Sequence, residues 1–146
     1  MSDFFKSLGI SSSALAAQRL RMNILSTNLA NAQTTRTPEG GPYKRQDVVF
    51  SAVPLGSEFE DFLDESMSAQ LKKVEVIDIH HDMKEPRMVF DPSHADADEK
   101  GYVAMPNVQV MSEMVNMIAA TRAYEANITA FNEAKSMAQK TLEIGK

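Results

Sequence analysis

The sequence contains no cysteine and no tryptophan. Without thiols there can be no disulfides, structural Cys-zinc sites, iron–sulfur clusters or cysteine nucleophiles. Glycine and proline number only six each in 146 residues, which excludes collagen-like and low-complexity chains. No apolar run approaches the roughly 20 residues that a membrane-spanning helix needs. Met1 to Ile10 holds Asp3, Lys6 and no long apolar core, so it does not read as a secretory signal. Together these absences set a cytoplasmic default. What is present looks globular: 43% hydrophobic and 24% charged residues, with a length that suits one domain and room for a small second module.

The formal net charge of −5 hides an uneven distribution. Residues 1–46 carry +4, residues 47–106 carry −9, and residues 107–146 are neutral. An acidic middle third argues against a nucleic-acid surface there. The cations of the first third are scattered and read as solvated faces.

Apolar periodicity defines two long helices. In the first, Leu15, Met22, Leu25, Leu29 and Ala32 recur at three- and four-residue steps, interrupted by Gln18, while Ile10, Ala17 and Ile24 form a second stripe. This helix starts at Ser2 or, if Ser11, Ser12 or Ser13 caps a restart after Gly9, at Ser11; it runs to Ala32. Thr37-Pro38-Glu39-Gly40-Gly41-Pro42 then stops it. Strands are expected at Tyr43–Val53, Val74–Ile79, Met88–Phe90 and Tyr102–Met105, from β-branched and aromatic residues bounded by turn formers. Glu58, Glu60, Asp61, Asp64 and Glu65 surround three apolar residues, so residues 56–70 read as an acidic loop or short amphipathic turn. A β-rich module of this size is marginal as an independent fold.

After Pro106, Asn107 is placed to cap the longest regular element, from Val108 to about Glu143, which has neither proline nor glycine. Val110, Met114, Met117, Thr121, Tyr124, Ile128, Phe131, Lys135, Ala138 and Leu142 step by four and three, and eight of the ten are apolar. Met111, Val115 and Ile118 form a flanking stripe, and Ala130, Ala134 and Met137 another. Such a helix is about 54 Å long, whereas a compact chain of this size is about 30 Å across. It cannot be covered within its own compact domain. The expected fold is therefore α+β, mainly α, with long N- and C-terminal helices pairing as an antiparallel coiled-coil hairpin and a small β-rich module between them. The expected division is an N-terminal helix in 1–36, an inserted module in 37–106 and a C-terminal helix in 107–146, the two helices forming one helical domain. The surplus apolar face must meet other chains. That makes the chain a polymer subunit or, alternatively, a soluble helical dimeric binding or regulatory module.

Candidate chemistry is thin. Adjacent His80 and His81 on a strand point to opposite faces, and with His94 they supply no convergent zinc set. Asp96-x-Asp98-x-x-Gly101 begins like a calcium loop, but Lys100 stands where an oxygen ligand belongs and Asn107 occupies the position of the bidentate glutamate. Asp61, Asp64 and Glu65 mimic a glycosidase pair, though without an aromatic platform for a sugar. No phosphate-cradling glycine loop, nucleophile elbow or dinucleotide fingerprint is present. The ten methionines read as adaptable packing atoms. No cofactor, metal, small-molecule substrate or catalytic residue is expected.

Thr27-Asn28-Leu29-Ala30-Asn31-Ala32-Gln33-Thr34-Thr35-Arg36-Thr37-Pro38-Glu39-Gly40-Gly41-Pro42-Tyr43 resembles the N-terminal signature of bacterial flagellar axial proteins, the rod and hook family. Its extension from Thr35 onward resembles the C-type proximal-rod group of that family. Asp91-Pro92-Ser93-His94, Gly101 to Val108, Arg122-Ala123-Tyr124-Glu125-Ala126-Asn127 and Ala134 to Lys140 are similar to that group's central and C-terminal signatures, in colinear order. Residues 52–72 carry no such motif. The resemblance implies a non-enzymatic structural subunit of the proximal rod of the basal body, polymerising through its terminal helices into a tube that surrounds the export channel and transmits torque for motility. It implies passage through the flagellar type III export apparatus without a cleaved signal, and residence in the periplasmic space. The implied neighbours are copies of itself, other rod proteins, and the membrane ring with its rod adaptor. Within this frame Asn28, Leu29, Asn31, Arg122, Tyr124, Glu125, Ile128 and Phe131 are candidate assembly or hairpin-stabilising residues, with capping and packing inside the subunit the alternative. Phe4, Phe5 and Leu8 are candidates for export recognition.

Overall fold

The computed structural model describes residues 2–55 and 71–144; the expected acidic loop 56–70, with Asp61, Asp64 and Glu65, lies outside the described residues. Two long helices flank a small set of strands, giving a mainly helical α+β fold. The order is α1 (Ser2–Ala30), β1 (Gln46–Pro54), β2 (Lys72–His81), β3 (Arg87–Phe90), β4 (Tyr102–Met105) and α2 (Val110–Ile144). Among the described residues, no helix is long and apolar enough to cross a membrane.

Helix α1 starts at Ser2 and passes through Gly9 without a restart. The serines that might have capped one have other work: Ser13 Oγ donates to the Ile10 carbonyl at 2.7 Å and accepts the Val74 amide at 3.1 Å, tying α1 to β2. The helix ends at Ala30, two residues before the expected stop, because Asn31 turns its side chain back on the last turn. Asn31 Nδ2 donates to the Thr27 carbonyl at 2.9 Å, and Asn31 Oδ1 accepts the Thr34 hydroxyl at 3.1 Å. Gly40 and Gly41 then take φ of 90° and 78°, closing the turn in which the Thr37 amide donates to the Gly41 carbonyl. Tyr43 precedes β1 rather than opening it, since its amide donates to the Thr34 carbonyl. Helix α2 starts at Val110, with the Glu113 amide donating to the Gln109 carbonyl, so Gln109 and not Asn107 stands at the cap. The chain between them is anchored by buried Pro106 and Val108.

Strands β1 and β2 pair, and β3 pairs with β4. Bonds from the Asp82 amide to the Arg45 carbonyl and from the Leu55 amide to the Leu71 carbonyl make the first pair antiparallel. In the second, also antiparallel, Arg87 opposes Met105 and Phe90 opposes Tyr102. The chain forms two compact units. The first takes Met1–Leu20, Val49–Asp78 and Ala120–Lys146, with Ala17 and Ala120 as its buried apolar residues. The second takes Arg21–Val48 and Ile79–Ala119, with Ile24, Leu25, Val103 and Val108 as its buried apolar residues. In the first unit the start of α1 lies beside the end of α2; in the second the end of α1 meets the start of α2. The helices are therefore antiparallel.

Candidate assembly surfaces

The second unit is organised by a buried polar cluster. Asn28, on the last full turn of α1, and Glu113, on the first turn of α2, are 0% and 1% exposed. Asn28 Nδ2 donates to the Gln46 carbonyl at 2.7 Å and to Glu113 Oε2 at 3.0 Å. Its Oδ1 accepts the Tyr43 hydroxyl and the Gln46 amide, both at 2.9 Å. An amide side chain has two donor hydrogens and two acceptor lone pairs, so Asn28 is fully satisfied within the chain. Arg45 Nε donates to Glu113 Oε1 at 2.7 Å while its Nη1 pairs with Asp47 at 3.2 Å. Burial alone would lower the Arg45 pKa, but the hydrogen bonds and charges of Glu113 and Asp47 together outweigh it and hold the guanidinium above its ordinary value. Burial, then the charge of Glu113, push the Tyr43 phenol up, partly opposed by Arg45. One cluster thus fixes the end of α1, the start of β1 and the start of α2.

The neighbouring loops are pinned by Asp96, which accepts the Thr35 hydroxyl at 2.8 Å and pairs with Arg36 at 2.9 Å. In the acid-rich loop before β4, Asp91 and Asp98 are directed onto local turn groups. Asp98 Oδ1 accepts the Lys100 and Tyr102 amides, and Asp91 Oδ1 accepts the amide and hydroxyl of Ser93. The Ser93 bonds hold the Asp91 carboxyl below its ordinary pKa. Local turn formation accounts for these acids without an ion. Among the described residues, no three His, Asp or Glu side chains are grouped to hold a metal.

The surface of α2 carries the opposite character. Met111, Val115 and Ile118 are 73%, 62% and 55% exposed, with Val110 and Met114 beside them also exposed. From Tyr102 to Thr121 the only charged residue is Glu113, and it points inward. The first turns of α2 therefore show solvent an uncharged apolar ridge at i, i+3, i+4 and i+7. Farther along, Tyr124 and Phe131 are half-buried, while Arg122, Glu125 and Ile128 are exposed. Leu29 and Asn31 on α1 are half-buried. In the first unit, Phe4, Phe5 and Ser7 face Ala134, Met137, Ala138, Thr141 and Leu142 across a groove of about 440 Å³. Phe4 and Leu8 are half-buried, Phe5 is exposed, and the rings of Phe4 and Phe5 meet edge to face at 5.5 Å. The structure thus gathers Asn28 with Tyr43, Arg45 and Glu113, three residues absent from the sequence-based candidates. Glu113 had one visible signal, as the lone charge in a stretch of twenty residues.

Comparison with known proteins gives two family matches, one on each helix. Residues 8–36 match the model described as flagella basal body rod protein, and residues 99–144 match the one described as flagellar basal body rod FlgEFG protein C-terminal. The chain is 42% identical over 149 residues to the flagellar basal-body rod protein FlgC of Borreliella burgdorferi, covering 96% of each chain. It is 44% identical over 149 residues to FlgC of Bacillus subtilis, covering 97% of this chain and 98% of the relative. With FlgC of Escherichia coli O6:H1 it shares 39% identity over 137 residues, 94% of each chain.

Proposed function

The chain belongs to the flagellar basal-body rod protein family as a structural, non-enzymatic rod subunit, and from this we propose that its two terminal helices are the parts that polymerise. The observation that carries this is the placement of the family matches, one on α1 and one reaching the end of α2, with residues 37–98 between them unmatched. A rod subunit assembles with copies of itself and with other rod components, and a soluble dimeric regulatory module is not favoured by relatives of this kind. In our reading, residues 1–36 and 107–146 form the helical part that lines a tube around the export channel in the proximal rod, and residues 37–106 form the outward module. The subunit leaves the cytoplasm through the flagellar type III export apparatus, sits in the periplasmic space, and meets the membrane ring and its rod adaptor at the base.

Roles for individual residues follow from exposure. Arg122, Glu125 and Ile128 are exposed and stand as contacts to neighbouring subunits, with Leu29, Asn31, Tyr124 and Phe131 supporting the same faces. Asn28, fully satisfied inside the chain, acts as the hairpin-stabilising member of the set. Phe4, Phe5 and Leu8 stand as the export-recognition segment. The test is cryo-electron microscopy of isolated basal bodies carrying this chain. Density for α1 and α2 in the inner wall of the proximal rod is expected; absence of the chain from the rod would overturn the proposal.

A further inference from the structure

Lys44, Arg45, Lys84 and Arg87 stand around one cleft of the second unit, against only two carboxylates, Asp82 and Glu113. The main basin of this cleft has a volume of about 370 Å³ and lies beside the first turn of α2; a smaller one adjoins it through Arg45, Asp82 and Lys84. Both carboxylates are already engaged, Glu113 by Arg45 and Asn28, and Asp82 by the Lys84 amide at 3.0 Å. Lys44, Lys84 and Arg87 are exposed and pair with no carboxylate among the described residues. Unpaired cations gathered in a concavity raise a positive potential there, and what it selects is a partner carrying several negative charges. The chain itself carries such a partner. Glu58, Glu60, Asp61, Asp64 and Glu65 fall within eight residues, and residues 56–70 contain no lysine or arginine.

We infer that the acidic run Glu58–Glu65 of one copy docks in the cleft of Lys44, Lys84 and Arg87 on a second copy. The inference rests on the rod-subunit reading, which brings copies of the chain together, and it assigns a contact to the inserted module. Chain length argues for a second copy over the same one. The run is carried at the end of the β1–β2 ladder where the Leu55 amide bonds the Leu71 carbonyl, whereas Arg45 and Asp82 bond at the other end. A nine-residue strand such as β1 spans about 30 Å. The segment between residues 55 and 71, tied at both ends, can double back only about 25 Å. Single exposed ion pairs contribute little, so recognition depends on several acting together and weakens as salt screens them.

Ser112, which lines the cleft, and Ser66, next to the acidic run, offer cysteine positions that leave every charge in place in a chain with no cysteine of its own. Cells lacking their own copy co-express the full-length variants Ser66→Cys and Ser112→Cys, and isolated basal bodies are oxidised and blotted. The mixed disulfide should exceed either homodimer by about tenfold, because a docked pair reacts at raised effective concentration. It should fall several-fold when oxidation is run in about 0.5 M salt. Lys84→Glu with Arg87→Glu, placed in the Ser112→Cys chain, should cut the mixed product about tenfold. Asp61→Lys with Asp64→Lys, placed in the Ser66→Cys chain, should then restore it. Charge reversal without loss, or loss without rescue, would overturn the inference. A chain carrying both cysteines that closes an internal disulfide in place of a dimer would overturn it in favour of its own acidic run. Cross-linking of the Ser112→Cys chain to a different protein, with no mixed product, would overturn it in favour of another acidic partner. In all these cases the chain is still found in basal bodies and the rod reading stands. Absence of both cysteine variants from the basal bodies of motile cells would overturn the rod reading itself.

Discussion

Helices α1 and α2 meet in each of the two units, and the chemistry of the two meetings differs. In the second unit the contact is made by Asn28 and Glu113, both buried, with Tyr43, Arg45 and Gln46 satisfying their polar atoms. In the first unit the two helices line an apolar groove, Phe4 and Phe5 facing Ala134, Met137, Ala138 and Leu142, and Gln18 Oε1 is buried without a hydrogen-bond partner among the described residues. A satisfied polar cluster accepts one geometry, since any shift leaves a buried donor or acceptor unpaired. Apolar contacts tolerate repacking as long as volume is kept. The second unit is thus suited to fix helix register within the subunit, whereas the apolar contact of the first is the one able to repack.

The largest effect is expected where the polar cluster loses its anion. Glu113→Ala leaves the Arg45 guanidinium and one Asn28 amide hydrogen facing a hole. Breaking one partner of a buried pair costs about 3 kcal/mol or more. Urea unfolding of the full chain, followed by circular dichroism, should show a loss of that size. Hydrogen exchange should rise first at the end of α1 and the start of β1. If exchange rises equally in the first unit, the two contacts are not independent and the contrast between them fails.

Next in size is Gly101→Ala, which tests whether the rigidity of the second unit extends to its β3–β4 hairpin. Gly101 has a φ of 78°, and a Cβ there would meet Phe90 and Pro92, each at 3.0 Å. Left-handed backbone and a close contact together cost about 2 kcal/mol. The loss should appear in the same unfolding transition as that of Glu113→Ala.

Tyr43→Phe removes a single hydrogen bond, to Asn28 Oδ1, and should cost about 1 kcal/mol at neutral pH. It also carries a pH signature. The Tyr43 phenol is raised above its ordinary value, by burial first and by Glu113 second. A raised value in the folded chain means that the neutral phenol stabilises the fold. That contribution is fully present below the ordinary value of about 10 and is lost as pH rises through the folded value. Alkaline unfolding of the original chain should therefore be steeper than that of Tyr43→Phe in this window. Equal slopes would show that the phenol does not couple to the cluster.

Most of the architecture was legible in the sequence because it rests on local signals. The two helices followed from apolar spacing, whereas α1 stops at Asn31, ahead of the proline and glycine cluster that was expected to stop it. Less legible was which face of α2 turns inward. The heptad that begins at Val110 and Met114 finds those two residues exposed, while Glu113 is buried between them. Periodicity credits apolar residues, so an inward charge counts against the face it occupies. What makes Glu113 an interior residue is Arg45, 68 positions away, and Asn28, 85 positions away. Long-range pairing leaves no local pattern. Farther along, Tyr124, Phe131 and Ala138 are half-buried at heptad positions, while Ile128 and Leu142 remain exposed. The Asn28 motif was visible as a family signature, but its partners Tyr43 and Glu113 were not tied to it until the fold brought them together.

The smallest predicted change has the opposite sign and probes the first unit directly. Gln18 interrupts the apolar stripe of α1, and its Oε1 is buried without a partner among the described residues. An unmet buried acceptor carries a desolvation cost, and a leucine of similar size removes it while keeping helix propensity. Gln18→Leu should therefore raise the stability of the isolated chain by about 0.5–1 kcal/mol. The same change in the second unit, Asn28→Leu, should destabilise, because there four satisfied bonds are lost. If Gln18→Leu instead lowers stability, the amide has a partner within the subunit and the first unit is polar at its core too. If it raises stability while slowing assembly into basal bodies, the unmet oxygen is one that a neighbouring subunit completes. Measuring both stability and incorporation for this single variant separates a tolerated defect from a contact held open for assembly.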